Sequence, residues 1–126
     1  MTTAAFLPLI RQAGASNESA KVVNISATLG STTLVQDSRL APNKNIVYGM
    51  SKSALMYYTK VLAGDLKKSN VIAISVCPGW VKTDLGGSKA MLTVEQSVSA
   101  IVKLIDSMSK DQSGAFLDRM GKKIAF

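Results

Sequence analysis

The sequence predicts an α/β domain built on a parallel sheet, and three observations carry that prediction. Two short, β-branched apolar runs, "KVVNIS" (21–26) and "VIAISV" (71–76), have the composition of strands buried on both faces. Between them, apolar residues recur at three- and four-residue steps, the period of a helix. After the second run, Thr93 followed by Gln96 gives the capping box of another helix. Alternating strands and helices of this kind fold as a parallel sheet covered by helices.

Taken in order, residues 3–12 read as the tail of a helix, and "GASNESA" as loop chemistry. The strand 21–26 is followed by a long polar loop, 28–45, containing Gly30 and Pro42. Unstructured loops of that length are usually functional or disordered. The helix predicted over 47–68 places Leu55, Tyr58, Val61, Leu62 and Leu66 on its apolar face. Pro78 and Gly79 stop the second strand. The helix opened by Thr93 presents Val94, Val98, Ile101, Leu104, Ile105 and Met108. "SGAFLDRMGKKIAF" closes as a short strand, a turn at Gly121 and an extended tail. Three strands make a thin sheet, and an uncovered edge would recruit other chains.

The 126 residues allow one domain, 47% hydrophobic and 18% charged, the balance of a soluble globular chain. No apolar run approaches the roughly 20 residues that span a bilayer. The first residues lack a basic leader, and Pro8 breaks their apolar run. A single cysteine, Cys77, excludes an internal disulfide framework and fits a reducing compartment. The expectation is a cytoplasmic protein without membrane association. The net charge of +7 is spread along the chain rather than clustered, which favours a solvated surface over a nucleic-acid footprint. An anionic cofactor is a further explanation for it.

The chain has no histidine, so proton chemistry near neutral pH needs another group. Tyr48 and Lys52, in "VYGMSKSAL", stand four residues apart and share a helix face. A nearby ammonium favours the phenolate and lowers the phenol's pKa, which makes a tyrosine usable as a general acid or base. The pair alone is a weak signal, since such spacing occurs by chance in many helices. Its setting is more specific. The ordered string "NISATLGS…YGMSKSAL…LAGDLKK…VCPGWVKTDLGG…SGAFLD…GKKIAF" resembles the C-terminal half of a short-chain dehydrogenase/reductase, of the carbonyl-reductase-like branch called sniffer or C-factor type. The resemblance runs from about Phe6 to the last residue.

That resemblance implies an incomplete Rossmann-type fold, a doubly wound parallel sheet lacking the N-terminal cofactor-binding strands and helices, with residues 1–126 as one partial domain. It implies that Tyr48 protonates a substrate carbonyl as hydride arrives from NADP or NAD. Lys52 would lower the tyrosine's pKa and hold the nicotinamide ribose. Pro78, Gly79, Val81 and Thr83 match the family's "PGxVxT" segment against the nicotinamide, and no metal is implied. Residues 84–91 would edge the substrate pocket together with Trp80, for which plain packing is an equal alternative.

Two departures stand beside these matches. The family's second serine after "NIS" is Ala27 here, which has no hydroxyl to polarise a carbonyl; Ser26, Thr28 and Ser31 are the possible replacements. The glycine-rich turn that receives a cofactor pyrophosphate is absent, and "RQAGAS" follows no strand. The resemblance places Met1 inside the helix before "NIS", with about four strands of the family fold preceding it.

Three readings follow. The first is NAD(P)H-dependent reduction of a small carbonyl compound. The second is a non-enzymatic truncated form that associates with full-length subunits or another protein through its open sheet edge and helices, as a homo- or hetero-oligomer. The third is a fragment that does not fold stably alone.

Overall fold

The computed structural model describes residues 2–16, 20–37 and 45–126. Its elements are helix α1 (Thr2–Ala15), strand β1 (Ala20–Ile25), helix α2 (Ile46–Asp65), strand β2 (Val71–Cys77), helix α3 (Val94–Ser107) and strand β3 (Phe116–Asp118). The three strands form one parallel sheet in the order β1-β2-β3, with Val22 opposite Ala73 and Val76 opposite Leu117. The α/β class read from the sequence is the class observed. Pro42 and the rest of residues 38–44, in the predicted loop, lie outside the described residues.

β2 is the central strand, and all seven of its residues are buried. Its side chains alternate between two helical layers. Val71 and Ala73 face a cluster with Val22, Leu62, Ala63 and Leu66, to which α1 adds Leu7 and Ile10. Ile72, Ile74 and Val76 face Leu104 and Met108 at the end of α3, with Leu117. Each such aliphatic side chain stabilises the fold by about 1.5–3 kcal/mol on full burial.

The predicted helix faces hold at Tyr58 and Leu62 of α2 and Leu66 just past it, and at Ile101, Leu104 and Ile105 of α3 and Met108 just past it, and differ at a few positions. In α2 the buried residues are Gly49, Met56, Thr59, Leu62 and Ala63, while Val61 is 46% exposed. The stripe takes in Thr59, which is polar only in name: its Oγ1 accepts from Asn24 Nδ2 (2.8 Å) and Ser75 Oγ (2.9 Å) and donates to the Leu55 carbonyl (2.7 Å). A hydroxyl satisfied three ways can face a sheet that an unpaired one could not. In α3 the buried residues are Ser97 and Leu104, and the predicted Val94 and Val98 are about half exposed. Ser97 Oγ donates to the Pro78 carbonyl at 2.8 Å, which fixes the start of the helix against the end of β2.

Thr93 does cap α3: its Oγ1 accepts from Gln96 N at 3.2 Å, and Gln96 Oε1 accepts from Thr93 N at 2.9 Å. At the other end of the helix, Lys21 Nζ donates to the Ile105 carbonyl, placing a cation where the helix dipole favours one. Beyond β3 the chain turns at Gly121, whose φ is +86°. The tail does not run on extended but returns antiparallel, with Ile124 N on the Phe116 carbonyl and Asp118 N on the Lys122 carbonyl, both at 2.8 Å. It therefore covers the outer edge of β3.

Candidate active site

β1 and β2 run parallel, so Ile25 and Cys77 end at the same side of the sheet. In open α/β sheets that carboxyl edge is where ligands bind. After Ile25 the chain passes through Ser26 and Ala27 into a tight turn, Thr28–Gly30, laid across the first two turns of α2. Two glycines make that approach possible. A Cβ on Gly30 would lie 2.7 Å from the carbonyl carbon and Cβ of Lys52, and one on Gly49 would lie 2.7 Å from the Leu29 carbonyl oxygen. Ser53 Oγ also donates to the Gly30 carbonyl, at 2.5 Å.

This crossing delivers the predicted pair to the sheet edge. Tyr48 is half-buried in the first turn of α2, and Lys52 follows one turn later. Lys52 Nζ donates to the Ile25 carbonyl at 2.9 Å and lies 5.5 Å from the centre of the Tyr48 ring. The expected electrostatics are corrected here. The Tyr48 phenol is pushed up from its ordinary value, first by burial and then by Cys77 at the end of β2. Desolvation of the ring dominates, and Lys52 is not among the causes of the shift.

Pro78 and Gly79 lie immediately beyond β2. Gly79 has φ +83°, and a Cβ there would also meet Leu92 Cδ1 at 2.6 Å, so only glycine fits both backbone and space. Val81 bridges to Leu92, and the flanking bonds are Lys82 N to Leu92 O (2.9 Å) and Leu92 N to Trp80 O (3.1 Å). Thr83 is exposed, and its Oγ1 accepts from Gly86 N at 3.1 Å. Trp80 is not a packing residue: it is 52% exposed, and its Nε1 donates to the Gly86 carbonyl at 2.8 Å. It thereby clamps the turn that exposes Leu85 and leads to the exposed Met91.

Of the residues offered as replacements for the missing serine, two are committed elsewhere. Ser26 is buried and donates to the Lys52 carbonyl at 3.3 Å. Ser31 is buried, donates to the Ala125 carbonyl at 2.6 Å and accepts from Leu34 N at 3.1 Å. Thr28, half-buried beside Ala27 at the head of the turn, is the remaining hydroxyl.

Sequence reasoning missed three contributors. Gly49 is visible only as a glycine inside a helix pattern, a sign of close approach. Cys77, weighed for its disulfide potential alone, supplies part of the Tyr48 environment. Ser97 gave no sequence signal, since a serine on an apolar helix face becomes legible only with its acceptor, the Pro78 carbonyl.

These residues fit one end of a dinucleotide. Lys52 offers an ammonium proton for a hydroxyl, while the space directly beside Gly79 is taken by Leu92 and Arg119. Among the described residues there is no strand, glycine-rich turn and helix in sequence to cradle a pyrophosphate.

The family model for short chain dehydrogenase matches residues 1–92. The C-signal protein of Myxococcus xanthus is 32% identical over 122 residues, which cover 97% of this chain and 68% of that protein. The carbonyl reductase Sniffer of D. melanogaster superimposes with a TM-score of 0.87 at 37% identity, over 98% of this chain and 51% of that one. An NADPH-bound carbonyl reductase from chicken fatty liver gives a TM-score of 0.89 at 32% identity, over 98% of this chain and 49% of that one. The chain thus spans about half the length of these solved structures. With its parallel sheet and the Tyr48–Lys52 helix laid against the sheet's carboxyl edge, the chain belongs to the short-chain dehydrogenase family.

Proposed function

We propose that this chain supplies the proton-donating, nicotinamide-facing half of an NAD(P)H-dependent reductase of small carbonyl compounds. The observation that carries the reading is Tyr48 in the first turn of α2, with Lys52 one turn on and tied to the end of β1. When bound, the nicotinamide supplies the hydride. Tyr48 Oη then gives its proton to the carbonyl oxygen, so that the substrate gains one hydride and one proton and leaves as an alcohol. The phenol is protonated at neutral pH, but pushed up by burial it is a weaker acid than a lowered one, so its placement carries the reading. Lys52 would hold a ribose hydroxyl, and the segment Pro78–Thr83 would lie along the ring once Leu92 gives way beside Gly79. Exposed Trp80, Leu85 and Met91 offer an apolar rim, which suits a carbonyl carried on an apolar body.

The test is a titration of the purified chain with NADPH and NADH, followed by nicotinamide fluorescence, with circular dichroism on the same sample and then an assay of cofactor oxidation with small aldehydes, ketones and quinones. Saturable binding to a folded protein, with turnover, supports the reading. A folded protein that binds neither nucleotide overturns it for this chain.

A second reading has its own support. Among the described residues β1 pairs on one side only, and Val47, Met50 and Tyr57 of α2 are 80%, 66% and 73% exposed. An open edge beside apolar helix surface suits association with a longer relative or a second copy. Sedimentation of the chain alone, and with a full-length homologue, separates this reading from the first.

A further inference from the structure

Away from the sheet's carboxyl edge, a groove of about 800 Å³ runs between the C-terminal half of α2 and the segment 110–126. The volume lies in the range of small-molecule sites. Lys60 of α2 and Lys67, in the turn just after that helix, line one wall, and Lys110 and Lys123 line the other. Lys60 lies 12 residues beyond Tyr48, about 18 Å further along the helix, so the lysines stand apart from the Tyr48–Lys52 pair.

Its charge and its floor point in the same direction. Four lysines line it against one acidic side chain, Asp111, whose pKa is lowered chiefly by the Ser109 hydroxyl and its own backbone, with Lys123 the last and smallest contribution. Like charges gathered in one groove repel, and an anion relieves that repulsion. The accessible part of the floor is Ile124 and Phe126, which lie over the buried Phe116, the two rings meeting edge to face at 6.1 Å. Lys60 Nζ stands 5.0 Å above the Phe126 ring, at the boundary between the charged rim and the apolar floor.

We propose that this groove binds an organic anion with an apolar body, a medium-chain carboxylate, its head group among Lys60, Lys67 and Lys123 and its hydrocarbon along Ile124 and Phe126. The proposal is independent of the reductase reading, since it uses none of the same residues.

The experiment is calorimetric titration with decanoate, below its micelle concentration, against decanol as the neutral counterpart. Decanoate is expected to bind saturably, at least tenfold tighter than decanol, and more weakly as salt rises. Lys60→Gln with Lys123→Gln should weaken decanoate at least tenfold and leave decanol unchanged, while Lys89→Gln, outside the groove, should change neither. Gly64→Leu provides a check that does not depend on charge. Gly64 lines the groove, and a Cβ there meets nothing within 4 Å. The substitution fills the groove without a clash and replaces a helical glycine by a better helix former. It should abolish binding while the thermal midpoint holds or rises. Equal binding of decanoate and decanol, indifference to either set of substitutions, or saturable binding of a polyglutamate peptide but not of decanoate would each overturn the assignment.

Discussion

Lys52 reaches from the second turn of α2 to the last residue of β1, its Nζ on the Ile25 carbonyl at 2.9 Å. The bond ties the candidate active-site helix to the strand whose end it serves. It also fixes the ammonium beside the Tyr48 ring. Lys52→Met keeps the apolar stem and removes the donor. Hydrogen bonds from charged groups contribute about 1.5–3 kcal/mol when buried; this one is solvent-exposed, so about 1 kcal/mol is expected in denaturant unfolding. NADPH affinity should fall at least tenfold. Unchanged affinity would remove Lys52 from the cofactor site.

Tyr48→Phe should lower turnover by roughly 10²–10⁴-fold, the usual contribution of a positioned acid, with NADPH binding nearly intact. The pH profile follows from the direction of its shift. The folded phenol ionises above the ordinary value of 10.0. Carbonyl reduction limited by this proton should therefore be flat through neutral pH and decline only above about pH 10. Stability runs the same way: the contribution of the neutral phenol is complete below the unfolded pKa and is lost as pH rises through the folded one. A rate that declines between pH 6 and 8 would assign the proton to another group.

Ala27→Ser places a hydroxyl where the family resemblance expects one. Ala27 has extended backbone, φ −154° and ψ 150°, which serine adopts without strain. If that position donates to the substrate oxygen, kcat should rise, toward the roughly 10²–10³-fold that such a donor is worth. No rise, together with a loss of activity in Thr28→Val, would transfer the role to Thr28.

Thr59→Val preserves shape and deletes the hydroxyl shared by Asn24, Ser75 and Leu55. The Ser75 hydroxyl, fully buried, and the Asn24 amide would then each lack a partner. A loss of about 2 kcal/mol or more is expected in urea unfolding, since each unsatisfied buried group costs about 1–3 kcal/mol. An unchanged midpoint would show that the strands find other partners.

The strands β1 and β2 and the capped helix were legible because each announces itself locally, in β-branched runs and in the Thr93–Gln96 pair. The Tyr48–Lys52 pair was legible as a spacing, but its electrostatics were not. Burial and Cys77 act on the phenol through the folded chain, and neither lies near Tyr48 in sequence. The helix faces were legible at Leu62, Leu66, Leu104 and Met108 but not at Thr59 and Ser97, for a related reason. A hydrophobicity pattern scores Thr59 and Ser97 as surface residues, whereas their acceptors, Leu55 and Pro78, let them face inward. The roles of Ser26 and Ser31 were hidden likewise, because a hydroxyl's availability depends on the carbonyl it meets.

The hydrogen bond from Ser31 to Ala125 joins the turn after β1 to the second-last residue of the chain. Seen as genetics, this makes the segment after β3 a remote handle on the Tyr48–Lys52 pair. On the proposed reading, a substitution there that loosens the turn resting on Lys52 would score as loss of activity with the pair itself unchanged. A library of such variants ought to be sorted first by cofactor binding, so that alleles of the tail are not mistaken for alleles of the tyrosine.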